Sequence, residues 1–226
     1  MILLEALEVH DTLNPKLWNK DRTLKDEVLN KLNEIATEFL DFIEIPLNVV
    51  DIEIVGSNAS YNYNDNSDID LHIIVNSEVN YMNIELLQQF YNSKKSSFND
   101  KYDLTILDIP VEIYIEDVLA GNATNGRYSI IENNWVLEPR KIDYDIPDIS
   151  QDVQATIEKC TNMLSSTDAE AIRKFINDLY MMRKLGLAED GEASKGNLIF
   201  KELRNLNLLD DLRDRYYELK SIELSL

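Results

Sequence analysis

The chain has 226 residues, 44% of them hydrophobic and 28% charged, enough to bury a core in one large domain or two small ones. Its 42 Asp and Glu against 22 Lys and Arg leave a formal net charge of −20, which disfavours a lasting grip on long nucleic acid or on an anionic membrane surface. The single cysteine, Cys160, can form neither an internal disulfide nor a thiolate metal cage, which fits a reducing compartment and predicts a cytoplasmic protein.

The opening MILLEALEVHD has no basic stretch ahead of its apolar residues and does not read as a secretory signal. No apolar run nears the roughly 18 residues that a membrane helix needs. The segment HDTLNPKLW, with Pro15 and Trp18, predicts an anchor for the helix that follows. That helix spans 24–43, where Leu24, Val28, Leu32, Ile35, Phe39 and Ile43 recur at helical spacing. Thr23 and Asp26 resemble a capping box at its start, and Pro46 bars its continuation. VVDIEIV at 49–55 alternates and is β-branched, which predicts a strand closed by Gly56-Ser57. The polar run NASYNYNDNS leads into a second strand at 69–75. A helix over 82–92 follows, then short strands near 103–108 and 111–116 with Pro110 between them, then a fifth strand near 127–132. Past Pro147 the pattern becomes helical, over 151–164, 168–185, 194–205 and 208–220, with Gly186, Gly191 and Gly196 breaking the chain between helices. These elements predict an α+β fold. Residues 1–147 form a domain with a small mixed β-sheet flanked by helices, and 148–226 form a helical C-terminal domain.

Charge is uneven along the chain. Residues 32–93 contain eleven acids and no Lys or Arg, whereas 151–226 hold 14 acids and 11 bases. Most of these acids read as solvated faces, but a few are arranged to await a divalent cation. Side chains alternate on a strand, so Asp68 and Asp70 share one face at the start of 69–75 while Ile69, Leu71, Ile73 and Val75 share the other. Two carboxylates this close repel unless a cation lies between them, and hard oxygen ligands suit Mg²⁺ or Mn²⁺. On the later strand Glu112, Tyr114 and Glu116 share a face. Strand register alone does not choose between Glu112 and Glu116 as a third carboxylate. Three carboxylates at one strand end can hold two metals for in-line phosphoryl or nucleotidyl transfer. Gly56 after a strand lets backbone N–H groups approach a phosphate closely, and Ser57 adds a hydroxyl donor. A lone Gly-Ser pair would otherwise read as a plain turn.

Gly56-Ser57, a ten-residue loop, Asp68-Ile69-Asp70-Leu71, and Glu112 within VEIYIE together resemble the DNA polymerase β-type nucleotidyltransferase superfamily. Within it the chain is similar to the short stand-alone nucleotidyltransferases of tailed phages and bacteria. The resemblance implies that Asp68 and Asp70 hold the metals that bind a nucleoside triphosphate, with ATP favoured. It implies that Glu112 completes the second metal site and helps activate the acceptor hydroxyl. It also implies that Gly56 and Ser57 hold the β- and γ-phosphates while attack on the α-phosphorus releases pyrophosphate.

Other phosphate and metal motifs are missing. There is no Gly-Lys-Ser/Thr phosphate loop and no GxGxxG. NDNSDIDLH lacks the central glycine and final glutamate of an EF-hand, and two His with one distant Cys do not make a zinc site. His72 lies on the Asp68/Asp70 face, where a hydrogen-bonded structural histidine is the plainer reading. Tyr61 and Tyr63, beside the acidic pair, read as loop packing before base stacking. Cations for the phosphates must come from outside 32–93. The candidates are Lys94, Lys95 and Lys101, and in the helical region Arg173, Lys174, Arg183, Lys195 and Lys201. The stretch 191–205 predicts a cleft-facing segment whose Lys195 and Lys201 contact nucleotide. Its plain alternative is an interhelical loop with solvated lysines.

The sequence therefore predicts a metal-dependent nucleotidyltransferase acting on a hydroxyl of a protein or small molecule, with a tRNA end as the next choice of acceptor. The alternative is a catalytically silent, antitoxin-like or regulatory module that docks its acidic face on a basic protein. An acidic nucleic-acid mimic would leave the ordered motif unexplained.

Overall fold

The computed structural model describes residues 9–77, 81–119, 124–142 and 148–225, with backbone only for 81–85. The expectations for the first eight residues and for the boundary at Pro147 lie outside them. The described residues fall into two compact units, 9–142 and 148–225.

In the first unit, α1 (Asp26–Ile43) is followed by β1 (Val49–Val55), β2 (Ile69–Val75), α2 (Tyr81–Lys101), β3 (Thr105–Ile106), β4 (Ile109–Asp117), β5 (Arg127–Ser129) and β6 (Asn134–Leu137). The sheet is mixed and six-stranded, in the order β3-β4-β2-β1-β5-β6. Only β2 and β4 run parallel. A parallel pair needs a long crossover, and α2 supplies it. One face of the sheet is apolar: Ile52, Ile54, Leu71, Ile73, Ile113 and Ile115 pack with Val28, Leu32 and Phe39 of α1 and Phe98 of α2. Alternation then puts the polar residues of the same strands on the opposite face.

Local details correct the sequence reading. Helix α1 starts at Asp26 behind Lys25, with no side-chain cap. The expected capping box fails because the Thr23 hydroxyl donates to Asp21 Oδ1 at 2.7 Å. Helix α2 continues well past residue 92, to Lys101. Pro110 lies inside β4, one residue before its ladder with β2 begins at Val111, so the missing N–H costs that ladder nothing. The strand near 127–132 stops at Ser129. A turn through Asn133, with φ 50°, returns the chain as β6, which was not anticipated.

The second unit contains α3 (Ser150–Leu164), α4 (Ala169–Glu189), α5 (Lys195–Asn205) and α6 (Leu208–Leu224). Ile149, Val153, Cys160, Ile172, Leu198 and Leu203 belong to its own core. Asp168 caps α4 by accepting from Ala171 N–H, and Ser194 caps α5 by accepting from Asn197 N–H. Gly186 and Gly196 do not separate helices; they lie inside α4 and α5. A Cβ on Gly196 would stand 2.5 Å from the Met182 carbonyl oxygen, so these glycines permit close helix packing. Among the described residues no helix is long and apolar enough to cross a membrane.

Candidate active site

Strand register assembles the acidic cluster. Asp70 is paired with Val55 across β1 and with Glu112 across β4. Gly56 follows Val55, so the Gly-Ser turn meets the acidic strand at the sheet end. A Cβ on Gly56 would fall 2.0 Å from Asp70 Oδ2, which means the carboxylate lies directly over the glycine. Gly56 has φ 72° and ψ −155°, a backbone region essentially restricted to glycine. Ser57–Ala59 then forms a single 3₁₀ turn.

Asn58 ties this turn to the strand entry and was not singled out from the sequence. Its side chain is fully buried. Its amide donates to the Asp68 carbonyl at 2.8 Å and the Ser67 carbonyl at 3.3 Å. Its Oδ1 accepts from Asn14 at 2.8 Å, and its own carbonyl accepts from Trp18 Nε1 at 2.8 Å. The segment carrying Trp18 therefore anchors the Gly-Ser turn as well as α1, whose entry it meets through Lys25 N–H and the Leu17 carbonyl. The only prior signal was a polar Asn next to Gly-Ser, which is common in turns.

Tyr114 is bonded directly to Glu112: its hydroxyl donates a short hydrogen bond to Glu112 Oε2. Burial first, then Glu112, then the charges of Asp70 and Asp68 hold the phenol far above its ordinary pKa. Lys95 of α2 reaches the same place, with Nζ 3.4 Å from Glu112 Oε2 and 3.4 Å from the centroid of the Tyr114 ring.

Glu116 is engaged elsewhere. It is hydrogen-bonded to His72 Nδ1 at 2.7 Å and lies 3.5 Å from Arg127 Nη1. Arg127 also donates a short hydrogen bond to Glu53. Burial would lower the Arg127 pKa, but Glu53 and Glu116 raise it above its ordinary value. Glu53 and Glu116 are each about nineteen-twentieths buried, at 5% exposure. Carboxylates this buried require partners, and the strands β1, β4 and β5 bring one guanidinium to both. His72 is accordingly a hydrogen-bonded histidine, two residues beyond Asp70 on the same face.

The remaining sequence candidates are placed as follows. Tyr63 stacks on His10 at 4.0 Å between centroids, and Lys141 Nζ stands 5.4 Å over the Tyr61 ring. Lys94 and Lys101 lie over the Phe42 ring. Lys195 and Lys201 belong to the helical unit, where Lys195 pairs with Asp152 at 2.6 Å and Lys201 with Glu192 at 2.8 Å. Burial would raise the Glu192 pKa, but Lys201, Asn197 and Arg183 together hold it below the ordinary carboxylate value.

The donor set fits a hard divalent cation: carboxylate oxygens from two adjacent strands, with a glycine where a side chain would displace one of them. Among the described residues, no three Asp, Glu, His or Cys side chains already converge on a single ion position. To share one ion, Asp68, Asp70 and Glu112 would have to draw together, with Glu112 leaving Tyr114 and Lys95.

The nucleotidyltransferase domain profile matches residues 32–144, half of the chain, and covers the Gly-Ser turn, both aspartates and Glu112. The chain belongs to the nucleotidyltransferase family. A nucleotidyltransferase of this family moves a nucleotide from one molecule to another, and that is the activity class of this protein. No curated protein sequence matches the chain. Two solved nucleotidyl-transferring enzymes are similar to it. One is the STING-associated c-di-GMP synthase CdnE from Capnocytophaga granulosa, at 14% identity over 89% of this chain and 84% of that one, with a TM-score of 0.26. The other is the spectinomycin adenyltransferase AAD(9) from Enterococcus faecialis, solved with ATP and spectinomycin, at 12% identity over 84% and 99%, with a TM-score of 0.26.

Proposed function

We propose that this nucleotidyltransferase moves a nucleoside monophosphate from an NTP, ATP favoured, to a hydroxyl of a protein or small molecule, with Mg²⁺ or Mn²⁺ and release of pyrophosphate. The observation that carries this reading is the pairing of Asp70 with Glu112 on adjacent parallel strands, with the Asp70 carboxylate over Gly56. Asp68 and Asp70 would hold the ions, and Glu112 would complete the second position. Bound divalent ions supply charge neutralisation for the triphosphate and a more nucleophilic acceptor oxygen. Gly56, with no side chain, leaves the Asp70 carboxylate in place over the turn, and the backbone N–H groups of the turn and the Ser57 hydroxyl would hold the β- and γ-phosphates. The acceptor oxygen would enter on the Glu112 side, in line with the departing pyrophosphate.

The acceptor choice rests on charge. A net charge of −20, with no Lys or Arg between residues 32 and 93, disfavours a long polyanion as acceptor. An RNA end remains the next acceptor to test. Lys195 and Lys201 are proposed as nucleotide contacts on the sequence reading, and each would first have to leave Asp152 or Glu192.

The test is incubation of the full chain with α-labelled NTPs and Mg²⁺ or Mn²⁺, following NTP binding, pyrophosphate release and label transfer. Metal-dependent NTP binding that Asp68→Ala abolishes is expected. Metal-independent binding, unchanged by Asp68→Ala, would remove the basis for this site.

A further inference from the structure

The tip of Glu112 is occupied in an unusual way for a carboxylate that is to serve an ion. Both of its donors sit on the same oxygen: the Tyr114 hydroxyl and, at 3.4 Å, Lys95 Nζ. The two donors also brace each other, because the ammonium stands 3.4 Å over the Tyr114 ring. Backbone register makes Glu112 the immediate neighbour of Asp70. Its side chain nevertheless goes to Tyr114, two residues along its own strand, and to α2. Among the described residues no three carboxylates converge on one ion position.

We propose that Lys95 and Tyr114 form a latch that holds Glu112 away from the ion position of Asp68 and Asp70, to be released when the metal-bound polyphosphate arrives. Lys95 and Tyr114 are then positioning residues that act through Glu112. The physical logic is charge balance. Carboxylates on neighbouring strands repel, and the tethered ammonium offsets Glu112 until a stronger cation competes for it. The pair is weak enough to open, since the Lys95 and Glu112 side chains remain 21% and 42% exposed and solvent screens such pairs. The proposal rests on Glu112 being the third carboxylate.

The test is titration of the full chain with Mn²⁺ alone, reading free Mn²⁺ by electron paramagnetic resonance. The proteins are wild type, Lys95→Met, Tyr114→Phe, Glu112→Gln and the Lys95→Met/Glu112→Gln double variant. A second lysine variant, Lys95→Gln, guards against a local packing effect, and melting curves confirm folding. Opening the latch is expected to tighten Mn²⁺ binding roughly three- to fivefold in Lys95→Met and in Tyr114→Phe. Glu112→Gln should weaken it, and the lysine effect should vanish in the double variant. If Glu112→Gln leaves Mn²⁺ affinity unchanged, Glu112 is not a ligand and the reading beneath the proposal fails. If Glu112→Gln weakens binding but neither latch variant tightens it, the latch is wrong and the ligand assignment stands. Equal tightening by Lys95→Met with and without Glu112 would mean a general field effect and would overturn the latch. Weaker binding in the latch variants would do so as well, by showing that they hold Glu112 in place for the ion.

Discussion

Replacing Gly56 with alanine perturbs the site through two separable effects. The backbone there, φ 72° and ψ −155°, is strained for any side chain, at a cost of roughly 1–3 kcal/mol. The new Cβ would also stand 2.0 Å from Asp70 Oδ2 and 3.0 Å from its Cγ. Ordinary contact begins at 3.4 Å, so the carboxylate must withdraw by more than an ångström. An aspartate can rotate away cheaply, so the stability loss comes mainly from the backbone, while the displaced carboxylate governs the loss of function. For a chain of this size each kcal/mol lowers melting by roughly 2–4 °C. A displacement of about 1 Å in a reacting constellation costs about 100-fold in rate. Thermal melts and pyrophosphate release measure the two effects independently. Gly191→Ala provides the stability comparison: φ is +70° there too, but nothing lies within 4 Å of the added Cβ, so strain appears without a clash. A Gly56→Ala protein that melts with wild type and turns over at the wild-type rate would refute both the strain and the contact with Asp70.

Other perturbations probe the supports of the site. Asn58→Ala removes a buried amide that donates to the Asp68 and Ser67 carbonyls and accepts from Asn14; unfolding in urea should show a loss of about 2–4 kcal/mol, with turnover falling as Asp68 loses its restraint. Glu192 has a folded pKa below the ordinary 4.5 because the cationic and amide partners outweigh its burial. A depressed carboxylate stabilises the fold above its unfolded pKa, and that contribution is lost as pH falls through the lower folded value. Wild type should therefore lose a small part of its stability below about pH 4.5 through this group. Lys201→Met should lower the melting temperature at pH 7 and flatten that acid dependence; an unchanged profile would contradict the pairing. Burial pushes the Cys160 thiol up to about 11, so a thiolate-specific reagent at pH 8 should label the native chain far more slowly than the urea-unfolded chain.

The order of strands and helices in the first unit was largely legible, because alternation and helical spacing are local properties. The second strand at 69–75 and the end of α1 at Ile43 fall where the pattern puts them. The departures have local physical causes. The Thr23 hydroxyl turned to Asp21 instead of capping α1, and a left-handed Asn133 made a hairpin where the apolar run predicted one longer strand. Gly186 and Gly196 read as breakers because their role is a close helix approach, which depends on a neighbour that the local pattern does not reveal.

Composition and spacing alone determined that Asp68 and Asp70 share one strand face after a Gly-Ser turn, in a region with eleven acids and no Lys or Arg; the nucleotidyltransferase reading came from the resemblance of that motif to a family. Residue types at fixed separations on one strand suffice for the first of these, since the pleat sets which side chains share a face. Tertiary structure decided which groups meet across the sheet. It paired Glu112 with Asp70 and took Glu116 to His72 and Arg127. It brought Lys95 from α2 onto Glu112 and used Asn58 to join segments 40 and more residues apart. Register between β2 and β4 depends on a helical crossover and on packing against α1 and α2, so no local pattern carries it.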